Sequence, residues 1–145
     1  MKHLYFFISL IILLWFTSCD LETSGNGDLD GMWHIERMDS VNNGVQTDLK
    51  GERLYWSFQH KLLQLDDKNW IHPSLLLRFE KRGSILLVHD PYLYNREEGD
   101  EPLTEPTLLK PFGINMLRDT FTIEKLKGEN FVITSKTVRL HMKRF

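Results

Sequence analysis

Apolar side chains recur at every second position along most of this chain, and that period restricts the folds it can adopt. The segments LYWSFQ, LLLRFE, FTIE and VRLHMKR, at residues 54–59, 75–80, 121–124 and 138–144, all alternate in this way. Successive side chains of a β-strand point to opposite faces, so the alternation is typical of strands that bury one face. A helix would space its apolar residues three and four apart. The chain is therefore predicted to be all-β.

Turn sequences separate these runs at regular intervals. NNG at residues 42–44, KRGS at 81–84 and LKGEN at 126–130 supply the glycine and asparagine residues that tight turns favour. About eight short antiparallel strands at this spacing indicate a sandwich or a barrel. Residues 95–106, NREEGDEPLTEP, break the rhythm and are predicted to form a long acidic surface loop. A lid or a partner-contact loop is the functional alternative for this segment.

The N-terminus carries the features of an export signal. A positively charged start precedes an apolar run at residues 4–16, and two small residues separate this run from Cys19, the single cysteine. The run is shorter than the roughly 20 apolar residues that a membrane-spanning helix needs. Residues 1–18 are therefore predicted to be a secretory signal peptide.

The tetrapeptide FTSC at residues 16–19 resembles the lipobox of bacterial lipoproteins, in which the cysteine becomes the lipidated first residue. This resemblance implies acylation (palmitate) at Cys19 and an outer-membrane lipoprotein of the cell envelope, on its periplasmic or its surface-exposed face. An ordinary signal peptide followed by a free thiol is the alternative. Residues 19–30 are rich in Ser, Gly, Asn and acidic side chains, and are predicted to be a flexible tether.

Residues 31–145 have the length of one domain. A hydrophobic content of 41% and an aromatic content of 12% are typical of globular chains. The formal net charge is −2, and no Lys/Arg cluster indicates a nucleic-acid partner. The oligomeric state is not predicted.

Both ends of this domain carry specific motifs. LDGMWHIERM contains Gly31 and Trp33 as G-x-W at the start of the first strand, and the chain closes with the basic strand TVRLHMKRF, which contains Arg144. These features resemble the lipocalin and calycin barrels, whose final Arg or Lys packs on that tryptophan. The order of the last strands also resembles small lipocalin-like lipoproteins of Bacteroidetes. The resemblance implies an antiparallel up-and-down β-barrel of about eight strands.

Strand parity gives a geometric expectation for these motifs. The first and last strands of a closed barrel with an even number of strands are antiparallel neighbours. Inward-facing Trp33 and Arg144 would then meet at one end of the barrel, with a cation–π contact between them. The alternative is a core tryptophan and an ordinary polar terminus.

No group of residues in the sequence predicts a reaction. The histidines lack the spacing of metal ligands, and His89 and Asp90 are adjacent strand residues that point to opposite faces. No nucleophile motif or phosphate loop is present. We therefore expect no catalytic residue, no metal site and no cofactor, and a protein that is not an enzyme.

Two functional interpretations stay open. In the first, which the family resemblance implies, the barrel encloses a small hydrophobic ligand, and its mouth lies opposite Trp33, near the KRGS turn and the acidic loop. The candidate ligand contacts are five lumen residues and two rim residues: Trp56, Phe58, Leu77, Phe79 and Phe121, with Tyr92 and Tyr94. In the second, the barrel is filled, and the domain is an interaction or inhibitor module that acts through its loops. The many large inward side chains favour a filled or narrow interior.

Overall fold

The fold is an antiparallel sheet closed into a barrel, seen in a computed structural model that describes Met1 and residues 25–145. The predicted signal peptide, Cys19 and the first residues of the predicted tether lie outside the described residues. The described part contains ten strands: β1 (Gly31–Ser40), β2 (Gln46–Asp48), β3 (Leu54–Gln59), β4 (Leu62–Asp67), β5 (Leu75–Arg82), β6 (Ile85–Leu93), β7 (Glu101–Pro102), β8 (Asp119–Lys127), β9 (Asn130–Thr134) and β10 (Val138–Arg144).

Eight of these strands form the closed barrel, in the order β1-β3-β4-β5-β6-β8-β9-β10, and β10 pairs again with β1. The short strands β2 and β7 pair with β1 and β6. The prediction of an all-β up-and-down barrel of about eight strands is confirmed. Two 3₁₀ helices, Gly27–Leu29 and Thr107–Phe112, complete the described elements. In residues 25–145, no helix is both long enough and apolar enough to cross a bilayer.

The core follows from the period-two pattern. On β5, Leu75, Leu77 and Phe79 are buried, whereas the intervening Arg78 and Glu80 are exposed. The other barrel strands also send their apolar positions inward, and one hydrophobic core results. Removal of this apolar surface from water is the main favourable term in folding.

The turns collect at the two ends of the barrel because the strands alternate in direction. We call the end at which β1 begins the Trp33 end, and it carries the short turns at residues 60–61, 83–84 and 128–129. We call the opposite end the loop end, and it carries the longer loops at residues 41–45, 49–53, 68–74, 94–118 and 135–137.

Trp33 and Arg144 meet at the Trp33 end, as strand parity predicts. They are direct partners in the β1–β10 register, and the Arg144 Cζ lies 4.3 Å from the centroid of the Trp33 ring. The guanidinium also donates hydrogen bonds to the carbonyl oxygens of Asp28, at 2.7 Å, and Asp30, at 2.8 Å. Arg144 therefore joins the last strand, the first strand and the segment before the first strand.

Gly31 is required by this contact. Its φ is +113°, a conformation that side-chain-bearing residues rarely adopt, and a Cβ there would lie 2.9 Å from the Arg144 Nη1. The G-x-W motif thus combines an indole under the guanidinium with a glycine that leaves room for it.

The prediction of a flexible tether is wrong for its last residues. Leu29 is completely buried, and its carbonyl oxygen accepts a hydrogen bond of 2.9 Å from the Trp33 Nε1. The Asn26 Nδ2 donates to the carbonyl oxygen of His60 at 2.7 Å. Composition suggested a loose segment, but one leucine side chain and the hydrogen bonds of its backbone dock residues 26–30 across the Trp33 end.

We expect Arg144→Gln to lower the free energy of unfolding by about 1–3 kcal/mol, because a cation–π contact and charged hydrogen bonds to two carbonyls are lost. The control Lys143→Gln removes one positive charge at the neighbouring exposed position, and it should lower the free energy of unfolding by less than about 0.5 kcal/mol. Urea unfolding of both variants measures the difference. Equal losses would contradict the structural role of Arg144.

Gly31→Ala should destabilise the wild-type barrel more than it destabilises the Arg144→Gln variant. The added Cβ displaces the guanidinium only where the guanidinium is present, whereas the backbone strain is common to both backgrounds. A double-mutant cycle measured by urea unfolding separates these two effects. Strictly additive losses would show that Gly31 and Arg144 are not coupled.

Candidate functional site

The lumen is filled by the residues predicted to line it. Trp56 and Phe121 are 0% exposed, and Leu77 is 1% exposed. Phe58 is 2% exposed, and Phe79 is 5% exposed. A water-sized sphere therefore touches almost none of their surface, either from solvent or from an interior space. The structure brings these side chains together as predicted, but it presents them to one another and not to a cavity.

Aromatic rings run in contact through the interior. Phe58 lies 4.9 Å from Phe79 and 6.0 Å from Trp56, between ring centroids, and Trp56 lies 5.6 Å from Phe121. Phe131 continues the series to Trp33 at 5.1 Å. Tilted and edge-on pairs at these distances are favourable beyond their buried area. The series links the two ends of the barrel.

The loop end, which was predicted to be an open mouth, is closed by the 3₁₀ helix Thr107–Phe112. Leu109, Phe112 and Ile114 are all completely buried. The Trp56 Nε1 donates a hydrogen bond of 3.1 Å to the carbonyl oxygen of Phe112. Gly113, at φ +83°, lets the chain turn against Leu140, whose Cδ2 would lie 2.6 Å from an added Cβ. We call residues 107–114 the plug.

The structure also gives the positions of the turn, the loop and the two tyrosines predicted to surround the mouth. The KRGS turn lies at the Trp33 end, so its expected place beside the mouth is wrong, whereas the acidic loop 95–106 does lie at the loop end. Tyr92 and Tyr94 are half-buried near the end of β6. The Tyr94 hydroxyl accepts a hydrogen bond from Arg96, whose guanidinium lies 5.4 Å from the ring centroid. The Tyr94 side chain therefore makes its contacts within its own loop.

The loop at residues 68–74 displays the most exposed aromatic side chain of the barrel's described loops. Trp70 is 86% exposed and adopts φ +60°, and Ile71 beside it is 68% exposed. Tryptophan is enriched among the few residues that carry most of the binding energy of protein interfaces. We call residues 68–74 the Trp70 loop. This loop was not predicted from the sequence, although DDKNWIHP places an aromatic among turn-forming residues and outside the alternating runs.

Asp67 holds the Trp70 loop in one conformation. This carboxylate is only 5% exposed and accepts three backbone N–H groups, from Asn69 at 2.7 Å, His72 at 2.9 Å and Ile71 at 3.0 Å. The Asn69 Nδ2 donates to the carbonyl oxygens of residues 51 and 52, both at 3.0 Å. Tryptophan is therefore presented on a pre-organised loop, which reduces the entropy lost on binding.

Acidic side chains flank the Trp70 loop. The Tyr94 N–H donates to the Ser74 carbonyl oxygen at 3.0 Å, so the end of the Trp70 loop adjoins the start of the acidic loop. That loop carries exposed carboxylates at Glu97, Glu98 and Asp100. The acidic loop thus brings negative charge to the side of the Trp70 loop that ends at Ser74, whereas the basic residues Lys68 and Arg53 lie at the start of that loop.

A charged network lies on the outer face of the β1–β10 seam. The Asp39 carboxylate lies 2.9 Å from the Arg37 Nε and 2.9 Å from the His141 Nε2. Burial alone would raise the pKa of Asp39, but hydrogen bonds from His141 and Arg37 outweigh it, and the pKa lies below its ordinary value. The ionised Asp39 carboxylate on β1 is hydrogen-bonded to His141 on β10, so the network ties the two strands together. In residues 25–145, no three His, Cys, Asp or Glu side chains are arranged to hold a metal ion.

A closed eight-stranded antiparallel barrel with a glycine, a tryptophan and an arginine locked at one end defines a calycin-type protein. The chain belongs to the lipocalin-like domain family, whose model matches residues 14–145. The predicted resemblance to lipocalin-like proteins of Bacteroidetes is confirmed. Proteins with this fold are generally non-enzymatic binding proteins.

Two solved structures share the fold at low identity. A lipocalin-like protein from Bacteroides uniformis superposes with a TM-score of 0.63 at 15% identity, covering 82% of this chain and 100% of that chain. An uncharacterized protein from Bacteroides eggerthii superposes with a TM-score of 0.55 at 10% identity, covering 81% of this chain and 99% of that chain. No curated protein matches the chain.

Asp39→Asn should change the response of the barrel to acid. The folded pKa of Asp39 lies below the unfolded value of about 3.9, so its contribution to stability is complete above that pH and is lost as pH falls through the folded pKa. The variant should be less stable than wild type near neutral pH, and the difference should shrink in strong acid. Urea midpoints between about pH 7 and pH 2 measure this.

Glu105→Gln, at an exposed loop position, is the control for this titration. Its stability difference from wild type should stay small and nearly independent of pH. A constant deficit for Asp39→Asn over the whole range would show that the network does not hold the carboxylate ionised.

Proposed function

We propose that this protein is a lipid-anchored lipoprotein of the cell envelope whose filled barrel is an interaction module that acts through its loop end. The observation that carries the proposal is the filled interior. It is capped at the Trp33 end by residues 26–30, with Leu29 buried, and at the loop end by the plug. A lumen without space leaves the outer surface and the loops for binding. The pre-organised Trp70 loop is the part of that surface most suited to binding a partner.

The chemistry of the loop end defines the partner. Trp70 and Ile71 project from a fixed loop, so the complementary surface is an apolar pocket on another protein. The acidic loop adjoins the end of the Trp70 loop through the Tyr94–Ser74 hydrogen bond, so the rim of that pocket is expected to be basic on that side. Complementary charge raises the rate of encounter and the specificity, while the buried aromatic anchor supplies most of the affinity.

The orientation of the chain agrees with this role. Acylation at Cys19 would place the membrane before residue 25, and the chain enters the barrel at the Trp33 end. The Trp70 loop lies at the opposite end and would face away from the lipid. A lipocalin-like barrel anchored in this way presents its projecting tryptophan to proteins outside the membrane.

Binding of a small hydrophobic ligand inside the barrel is the competing function. It would require the plug to leave, which breaks the hydrogen bond between Trp56 and Phe112 and exposes Leu109 and Ile114. The chain from residue 25 onward, which contains the whole barrel and both caps, is suited to the test. Fatty acids, sterols and polyphenols should cause no saturable quenching of its tryptophan fluorescence. Saturable quenching that Trp56→Phe removes would overturn the filled-barrel function.

Trp70 should contribute to partner binding and not to folding. Trp70→Ala should change the free energy of unfolding by less than about 0.5 kcal/mol, because the indole is exposed. A photo-reactive amino acid placed at position 71 of the full chain in its own cells should yield an adduct of one defined mass. The yield should fall at least tenfold with Trp70→Ala, and should fall also with Glu97→Lys/Glu98→Lys.

Position 84 is the matched control, because Ser84 is exposed in a turn at the Trp33 end. The same photo-reactive residue there should yield no adduct of that mass. Equal adducts at both positions, or an adduct that survives Trp70→Ala unchanged, would reject the loop end as the interaction surface.

Cys19→Ala tests the lipid anchor. The variant should accumulate unprocessed or be released from the membrane fraction, because thioether lipidation is lost and dual acylation is what gives durable anchoring. Fractionation with detection of the chain, together with the mass of the mature N-terminus, measures this. Normal processing with unchanged membrane retention would contradict the lipobox interpretation.

A further inference from the structure

A basic groove lies beside the segment that leads into the barrel. It has a volume of about 510 Å³ and runs between the β3–β4 turn and the outer side of β5. Four cationic side chains and one anionic side chain line it, which leaves an excess of three positive charges: Lys61, Arg78, Lys81 and Arg82, against Glu80. We call this feature the basic groove.

The charges of the basic groove are largely uncompensated. Glu80 is shared between Arg82, whose Nη2 lies 3.4 Å from its Oε2, and His89, whose Nε2 lies 3.7 Å from its Oε1. Lys61, Arg78 and Lys81 are exposed and form no ion pair with any residue in 25–145. Three free cations around one concave surface are suited to an anionic group that arrives from outside.

The position of the groove restricts what that anion can be. Gly25 and Asn26 form part of its wall, and the hydrogen bond from Asn26 to the His60 carbonyl holds them there. Cys19 precedes Gly25 by six residues, and an extended chain covers at most about 3.5 Å per residue. If Cys19 is anchored, the groove therefore lies within about 20 Å of the lipid surface.

The surroundings of the groove also fit a lipid surface. Leu62 and Ile85, beside two of the three turns of the Trp33 end, are 45% and 43% exposed, and Phe145 at the same end is 81% exposed. Cationic groups interspersed with exposed apolar side chains are typical of surfaces that rest on anionic membranes. The acidic loop lies at the opposite end, away from the headgroups, so Asp28 is the exposed carboxylate of the described entry segment beside the groove.

We propose that the basic groove binds the anionic headgroups of the membrane that carries the anchor. This docking sets the Trp33 end on the lipid and points the Trp70 loop away from it. The inference rests on the proposed membrane anchor for its place in the cell, but the charge-dependent contact is a property of the barrel itself. It is therefore measurable without the anchor.

The test uses the non-lipidated chain from residue 19 with Cys19→Ala, which contains the whole barrel and both caps. Sedimentation with vesicles of phosphatidylcholine, with and without phosphatidylglycerol, measures binding. The chain should bind the anionic vesicles and not the neutral ones. Binding should weaken steeply between about 50 mM and 500 mM salt, because exposed charges are screened.

Neutralising the groove should remove this preference. Each basic residue near an anionic surface contributes about fivefold in partitioning, so Lys61→Gln/Arg78→Gln/Lys81→Gln should lose on the order of a hundredfold. The matched control Lys50→Gln/Lys110→Gln/Lys136→Gln changes the same charge at exposed positions of the loop end and should bind as wild type does. The wild-type salt dependence requires no variant and checks the charge dependence independently.

Three results would overturn the proposal. They are equal binding to both vesicle types, equal loss in the two triple variants, and retention of binding at high salt. None of them bears on acylation, which the membrane retention of Cys19→Ala in cells tests separately. Failure of the groove and failure of the anchor are thus distinguished.

Discussion

The contact between Arg144 and Trp33 is the interaction on which this barrel depends. It secures one end of the β1–β10 ladder, and this ladder closes a sheet whose edges would otherwise be open to pairing with other chains. The guanidinium also holds the carbonyls of Asp28 and Asp30, which places Leu29 over the core. Residue 31 is a glycine, and the absence of a Cβ there leaves room for the guanidinium. Closure, capping and the G-x-W motif thus have one physical origin.

Trp33 and Trp56, the deeply buried tryptophans of residues 25–145, explain why the barrel is closed at both ends. A buried indole N–H needs an acceptor, and strand pairing has already used the nearby backbone carbonyls. Trp33 finds its acceptor in the 3₁₀ helix before β1, and Trp56 finds its acceptor in the plug. Each tryptophan therefore holds one cap, and the ring contacts between them fill the space that a ligand would need. The proposed binding at the outer surface rests on this filled core.

The parts of this structure that were predicted from sequence are those governed by a repeating pattern. Alternation identified the strands, and parity brought Trp33 to Arg144. A turn of helix was allowed for residues 108–117, but the burial of Leu29 and the closure of the loop end by the plug were missed, because short 3₁₀ segments show no periodicity in the sequence. Trp70 was missed for a related reason: its exposure is set by Asp67 and the three N–H groups that this carboxylate accepts, which composition does not reveal.

The number of strand crossings explains why the N-terminal entry and the Trp70 loop lie at opposite ends of the barrel. The chain enters the barrel at the Trp33 end and crosses it three times, as β1, β3 and β4, before it reaches the Trp70 loop. An odd number of crossings places that loop at the end opposite the N-terminal entry, whatever the details of the turns. Insertion or loss of one barrel strand before residue 68 would bring Trp70 to the side of the basic groove. The up-and-down topology itself therefore separates the surface suited to lipid from the surface suited to a protein partner.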